Sequence, residues 1–195
     1  MIKSFDFYFD FVSPYSFLAH KEIRKIEKKN LIKIKYKAIL LGGLHNLHGI
    51  KAPAFIPAKA KHMVRDCKLI AEKNKIKFKF NSYFPIRSLN LMRGVLVAEE
   101  DNFKNYYIDS IFDSIWQDGL NMNDENIIQK VLKNLNINPK TFLLRSTSSS
   151  IKDSLKKKTN EAYEKSIFGA PTFVVNNKVF WGQDRIEFAL NEASK

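Results

Sequence analysis

Ser13 and Ser16 flank Pro14 and Tyr15 at the point where an alternating run of residues gives way to a helical one. A serine just before a proline in the first helical position is a good N-cap, so capping alone accounts for Ser13. The same hydroxyl would lie beside unpaired backbone N–H groups and the positive end of a helix dipole, a setting that stabilises an anion. Hydroxyls have far higher pKa values than thiols, so this pair cannot exchange disulfides. The only cysteine, Cys67, allows neither an intramolecular disulfide nor a dithiol couple, and a reducing, cytoplasmic setting follows as the expectation. Its helical register with Met63, Val64, Ile70 and Ala71 reads as a buried small hydrophobe. A second segment of interest is Phe168-Gly169-Ala170-Pro171-Thr172, in which Pro171 alone would pass for an ordinary trans loop residue.

The elements that must position these residues can be read from periodicity. Residues 3–12 set Phe5, Phe7, Phe9 and Phe11 on one face and Asp6, Tyr8 and Asp10 on the other, which predicts a strand. A helix from Pro14 to about Lys29 and a strand near Ile32 to Leu40 complete a βαβ unit. Gly42, Gly43, Gly49, Pro53 and Pro57 break the pattern before a region that reads as helical, with short loops, nearly to Ser166. Within it, helices are predicted over Asn90–Glu100, Phe103–Gln117 with a polar face of Asn105, Asp109 and Asp113, Asp124–Leu135, from Pro139, and over Ser150–Lys165. Thr172–Val175 and Val179–Trp181 read as a hairpin around Asn176, Asn177 and Lys178, and Asp184–Ala193 as a closing helix. The order βαβ, helices, ββα is that of an α/β thioredoxin-like fold with a large all-helical insertion. Residues 1–41 and 167–195 would form the thioredoxin-like domain and 42–166 the insertion.

A net charge of +13 favours anionic partners, yet the lysines are scattered, a run at Lys156, Lys157 and Lys158 included, and no nucleic-acid-binding motif frames them. Small anionic ligands are the more economical use of the charge, and biased amino-acid usage accounts for it without any function. No stretch has the apolar length needed to span a bilayer, and residues 1–10 lack the basic start and apolar run of a secretory signal.

The corner Phe9-Asp10-Phe11-Val12-Ser13-Pro14-Tyr15-Ser16 occupies the place where thioredoxin-like redox proteins carry Cys-x-x-Cys. Segments Phe7–Leu18, Phe84–Arg93 and Phe168–Phe188 resemble those of 2-hydroxychromene-2-carboxylate isomerases and kappa-class glutathione transferases, and the likeness spans essentially the whole chain. The resemblance implies glutathione as cofactor, a homodimer, and no metal. It gives Ser13 the role of hydrogen-bonding the glutathione sulfur, and leaves Ser16 one turn inside the helix. A cis Ala170-Pro171 bond is implied, with the Ala170 backbone pairing with the cysteinyl unit. Gln183 and Asp184 match the position that holds the γ-glutamyl end, where a carboxylate can pair with an ammonium; Asp184 could equally cap a helix. Lys59 matches a basic position near the glycyl carboxylate, or is simply a solvated lysine.

Tyr83, Phe84, Arg87 and Asn90, with Arg93, resemble the border of the pocket for a second, small-molecule substrate. Arg87 or Arg93 could meet a substrate carboxylate, or pair with acidic neighbours. Related sequences carry Gly-Asn before Lys-Pro-Pro where this chain has Gly49-Ile50-Lys51-Ala52-Pro53; a polar contact is lost at Ile50, for which His45 or His48 could compensate. The implied activity is glutathione-dependent isomerisation of an aromatic-degradation intermediate such as 2-hydroxychromene-2-carboxylate. Conjugation of glutathione to an electrophile and non-catalytic binding of glutathione or another anion are the alternatives.

Overall fold

A computed structural model describes residues 4–29 and 32–195. Residue 3, at the start of the first predicted strand, lies outside the described residues, as do residues 1, 2, 30 and 31 of the predicted thioredoxin-like domain. The first strand, β1 (Ser4–Phe9), is shorter than predicted because Asp10–Val12 forms a turn in which the Asp10 carbonyl accepts the Ser13 N–H at 3.1 Å. Helix α1 (Pro14–Lys28) follows with Lys25 and Lys28 in its last turn, where cations complement the dipole. Strand β2 (Lys33–Ala38) runs parallel to β1 and alternates exposed Lys33 and Lys35 and half-buried Lys37 with buried Ile34, Tyr36 and Ala38.

Next come α2 (Leu41–Leu47) and α3 (Pro57–Lys73), joined through a 3-10 turn at Pro53–Phe55. The predicted break at Gly42 and Gly43 is therefore corrected: both lie inside α2. Two glycines cost a helix roughly 1 kcal/mol each. Tertiary contacts override that cost: Leu44 is fully buried and the Leu41 N–H donates to a carboxylate oxygen of Asp10 at 2.8 Å.

A second correction concerns residues 74–88, which form a long non-helical connection. Ile76, Phe78 and Phe80 alternate with exposed Lys75, Lys77 and Lys79, a period of two that marks extended chain. Polar groups there are satisfied without a helix: Lys79 N–H donates to Trp116 O at 2.7 Å, and the Asn81 side-chain amide to Ile115 O and Leu120 O. Five helices then run in sequence, namely α4 (Leu89–Glu100), α5 (Lys104–Trp116), α6 (Glu125–Asn134), α7 (Pro139–Ser146) and α8 (Ser149–Glu164). The chain returns to the sheet as β3 (Thr172–Val175) and β4 (Lys178–Trp181), and ends in α9 (Ile186–Ala193). Asn176 and Asn177 make the hairpin turn, both with positive φ, as asparagine tolerates.

The sheet order is β2-β1-β3-β4, with β1 and β2 parallel and the other pairs antiparallel. One face carries Phe5, Phe7, Phe9 and Phe173 into the main core with Phe17 and Phe112. The opposite face buries Tyr8 with Ile39, Leu44, Ala162 and Ile167, so the sheet is covered on both sides. No helix among the described residues is long and apolar enough to cross a membrane.

The predicted polar face of α5 meets α1 through its partly exposed carboxylates. His20 is fully buried; its Nε2 lies 2.8 Å from the Asp109 carboxylate and its Nδ1 2.9 Å from the Tyr36 hydroxyl, while Arg24 Nε donates to Asp109 at 2.7 Å. The Nε2 contact lies outside hydrogen-bond geometry, and burial favours the neutral ring. Burial holds the His20 pKa below the ordinary histidine value, against the opposing pull of Asp109. In acid the unfolded chain therefore binds a proton that the folded one does not. The stability this gives is present above the unfolded value of about 6.5 and declines as pH falls below it. His20→Gln should flatten that slope, by up to about 1.4 kcal/mol per pH unit below roughly pH 6.5, in urea unfolding followed by circular dichroism.

Candidate active site

Ser13 sits between the end of β1 and the start of α1 and is 5% exposed. Its backbone is extended (φ −85°, ψ 113°) and its Oγ accepts the Ser16 N–H at 3.1 Å, so it does cap α1. The same hydroxyl donates to the Ala170 carbonyl at 2.9 Å, across 157 residues of sequence. One oxygen thus serves as cap acceptor and as donor toward the far segment. Ser16, one turn on, is fully buried, and its Oγ has no hydrogen-bond partner among the described residues.

The Ala170-Pro171 bond is cis, as the resemblance implies. The Pro171 carbonyl accepts the Gly182 N–H at 3.0 Å, which ties this segment to Gln183 and Asp184 just beyond β4. Ser13, Ala170, Pro171, Gln183 and Asp184 are therefore brought to one place by two hydrogen bonds. Asp184 makes no capping bond at either the 3-10 turn Gln183–Arg185 or α9, and pairs only loosely with Arg185 at 3.4 Å. Its carboxylate is exposed and available. Beside them, the Trp181 indole packs on Phe168 with ring centroids 4.9 Å apart and covers Gly169 closely enough that a Cβ there would meet Nε1 at 2.5 Å.

Lys59 is exposed in the first turn of α3. That helix is held to α1 by the Tyr15 hydroxyl, which donates to Asp66 at 2.8 Å. Cys67 is fully buried and burial pushes its thiol up to about 12, so it is no nucleophile at neutral pH. His48 is committed elsewhere: its Nε2 lies 2.9 Å from the Ile167 carbonyl and its ring packs on Tyr163, bracing the segment that leads into Gly169. His45 is buried and Ile50 exposed.

Phe84 packs against Trp116, whose indole N–H donates to the Phe11 carbonyl at 2.9 Å, two residues before Ser13. Tyr83 and Arg87 are exposed on the same connection, their backbones held by Asn81 and Asn123. Met92 faces the corner, its sulfur accepting the Phe11 N–H at 3.4 Å. Asn90 stands about 160° round α4 from Met92, is exposed, and accepts from Arg93. Neither Arg87 nor Arg93 forms an ion pair among the described residues, and Arg93 Nε is buried without a partner. No cluster of three or more His, Cys, Asp or Glu side chains among them is placed to hold a metal ion.

Sequence reasoning missed Asp10. This residue is fully buried and its carboxylate accepts from Val12 N–H at 3.0 Å, from Leu41 N–H at 2.8 Å and from the Ser88 hydroxyl. Burial raises its pKa and the three donors oppose the rise. A carboxylate on the strand face opposite the phenylalanines, in a sheet covered on both sides, was the available signal. The cis bond at Phe84-Pro85 was missed as well.

Residues 4–193 match the model of the DSBA-like thioredoxin domain. A 2-hydroxychromene-2-carboxylate isomerase of Sphingobium xenophagum is 26% identical over 190 residues, covering 96% of each chain. A glutathione S-transferase kappa 1 of Caenorhabditis elegans is 26% identical over 92% of this chain and 86% of its own. The solved structure of a 2-hydroxychromene-2-carboxylate isomerase superposes with a TM-score of 0.88 at 25% identity, covering 98% of this chain and 94% of the other.

Ser13→Ala removes both the cap and the bond to Ala170. The unfolding free energy should drop by about 1–2 kcal/mol in chemical denaturation without any ligand present.

Proposed function

We propose that this chain, which belongs to the DSBA-like thioredoxin domain family, is a glutathione-dependent isomerase acting on a conjugated, carboxylate-bearing aromatic intermediate such as 2-hydroxychromene-2-carboxylate. The observation that carries the reading is the Ser13 hydroxyl, buried at the start of α1 and aimed at the Ala170 carbonyl where a redox relative would carry a thiol. Similarity to named isomerases along nearly the full length of both chains supports it.

The residues fit glutathione. Ser13 offers a hydroxyl donor to a sulfur, the Ala170 backbone a peptide-like edge, Gln183 and Asp184 a polar and acidic pair for the γ-glutamyl ammonium, and Lys59 a cation for the glycyl carboxylate. When bound, glutathione would supply a thiolate able to add reversibly to a conjugated double bond, so that rotation and elimination give the isomer. The remainder is the work of the chain itself. To serve a sulfur, the Ser13 proton turns away from Ala170 O while Oγ keeps accepting from Ser16 N–H, which exchanges one acceptor for another. At a free thiol pKa of about 8.5 only ~3% is ionised at pH 7, and lowering it by about two brings this to roughly three quarters. Each tenfold step needs about 1.4 kcal/mol, within reach of a hydroxyl hydrogen bond and a helix terminus together. Arg87, exposed and without an ion pair, is the cation offered to the substrate carboxylate, with Tyr83, Phe84 and Asn90 along the same border.

Incubation with reduced glutathione and 2-hydroxychromene-2-carboxylate, followed by ultraviolet spectroscopy and mass spectrometry, should yield trans-o-hydroxybenzylidenepyruvate in a reaction that stops when glutathione is withheld. A stable glutathione adduct would instead favour the transferase reading. Glutathione binding with no turnover would leave a binder.

A further inference from the structure

Asp10 is a fully buried carboxylate that the proposed chemistry leaves without a task, three residues before the one that carries that chemistry. Its own carbonyl accepts the Ser13 N–H at 3.1 Å, and its side chain accepts the Val12 N–H at 3.0 Å, so the carboxylate and Ser13 belong to one hydrogen-bonded turn. The groups that face it are the Val12 N–H from the turn, the Leu41 N–H from the start of α2 and the Ser88 hydroxyl ahead of α4. All three are neutral donors. Such a set calls for an acceptor with no hydrogen of its own, which a carboxylate is and a carboxamide is not. The carboxyl is fully buried and none of these facing groups is a counter-ion.

We propose that Asp10 is a positioning residue with an electrostatic office: it holds the corner through three hydrogen bonds, and its buried negative charge restrains the ionisation of any sulfur placed at Ser13. The inference rests on the thiol-binding reading above as to why a sulfur should be there. Two anions in one poorly solvated corner each disfavour the other, and water screens them little at this depth. Helix α1 and the Ser13 hydroxyl draw the thiol toward the anion, and Asp10 draws it back, leaving a thiolate that keeps more of its nucleophilicity for the addition step. Burial of Asp10 has the same sense, holding its proton to higher pH than an exposed aspartate would.

The sign of the effect separates this role from a merely structural one. Ser13→Cys places a thiol at the corner without glutathione, and buried Cys67 stays silent toward alkylation at neutral pH. The rate at which iodoacetamide alkylates the introduced thiol, followed against pH, should have its midpoint about one pH unit lower when Asp10→Asn is added. If Asp10 only holds the turn, loosening it weakens the helix-terminal stabilisation and the midpoint rises; an equal or higher midpoint overturns the proposal. Should the double variant fold poorly, the Asp10 carboxyl carbon resonance in Ser13→Cys alone decides. An inflection at the thiol midpoint, abolished by alkylation, supports the coupling, and its absence refutes it. Neither measurement needs glutathione, so failure of the proposed function to appear in the turnover assay is a separate result.

Discussion

A single hydrogen bond, from the Ser13 hydroxyl to the Ala170 carbonyl, closes this molecule on itself. On one side stands the corner between β1 and α1, and on the other the approach to β3, with one strand and most of the helices strung between them in sequence. The bond continues the pairing of β1 with β3, whose last register pair is Tyr8 with Thr172. The Thr172 hydroxyl in turn donates to the Gly169 carbonyl at 2.7 Å, holding the segment before the sheet in its curve. The candidate site is thus the seam where the first and last parts of the sheet meet. Its position is a consequence of strand order, which puts β1 in contact with both β2 and β3.

Aromatic packing carries rigidity up to that seam. Phe7, Phe9 and Phe11 make successive ring contacts along β1 and its turn, and Phe112 from α5 touches Phe9, Phe11, Phe17 and the His20 ring. Pairs of this kind contribute about 0.5–1.5 kcal/mol each beyond the burial of their area. At the top of the row, the Trp116 indole N–H takes the Phe11 carbonyl that the turn leaves over, and Met92 takes the Phe11 N–H. The chain leading into Ser13 is therefore held by side chains from α4 and α5 rather than by sheet pairing. Helices outside the sheet decide how the Ser13 corner is oriented.

Much of this was legible in the residues. The period-two phenylalanines, the Ser13-Pro14 stop and the Asn-Asn turn each have a local physical cause, and they located β1, α1 and the hairpin. Ser13, Ala170 and Pro171 were found because their motifs lie at element boundaries that periodicity marks. What escaped notice was decided by partners far off in sequence. Gly42 and Gly43 sit in a helix because Asp10 and the packing of Leu44 hold it there. The stretch Ile76–Phe80 did carry its alternation openly, but its extended form is secured by Trp116 and Ile115, about forty residues on. Asp10 was read as one side of a strand; its role depends on α2 and α4 converging on it, which no local pattern reveals.

The lid that Trp181 forms over Gly169 has a consequence for how the chain can diverge. With the indole Nε1 at 2.5 Å from where a methyl group would begin, even alanine at 169 requires the ring at 181 to withdraw. Withdrawal of the ring would in turn expose more of Phe168, the ring it packs against. The two positions are consequently not independent letters. In a lineage of such chains, the bulky ring at the end of the hairpin and the bare α-carbon before the cis proline would be inherited as a pair, and a change of ring would have to precede any gain of a side chain at 169.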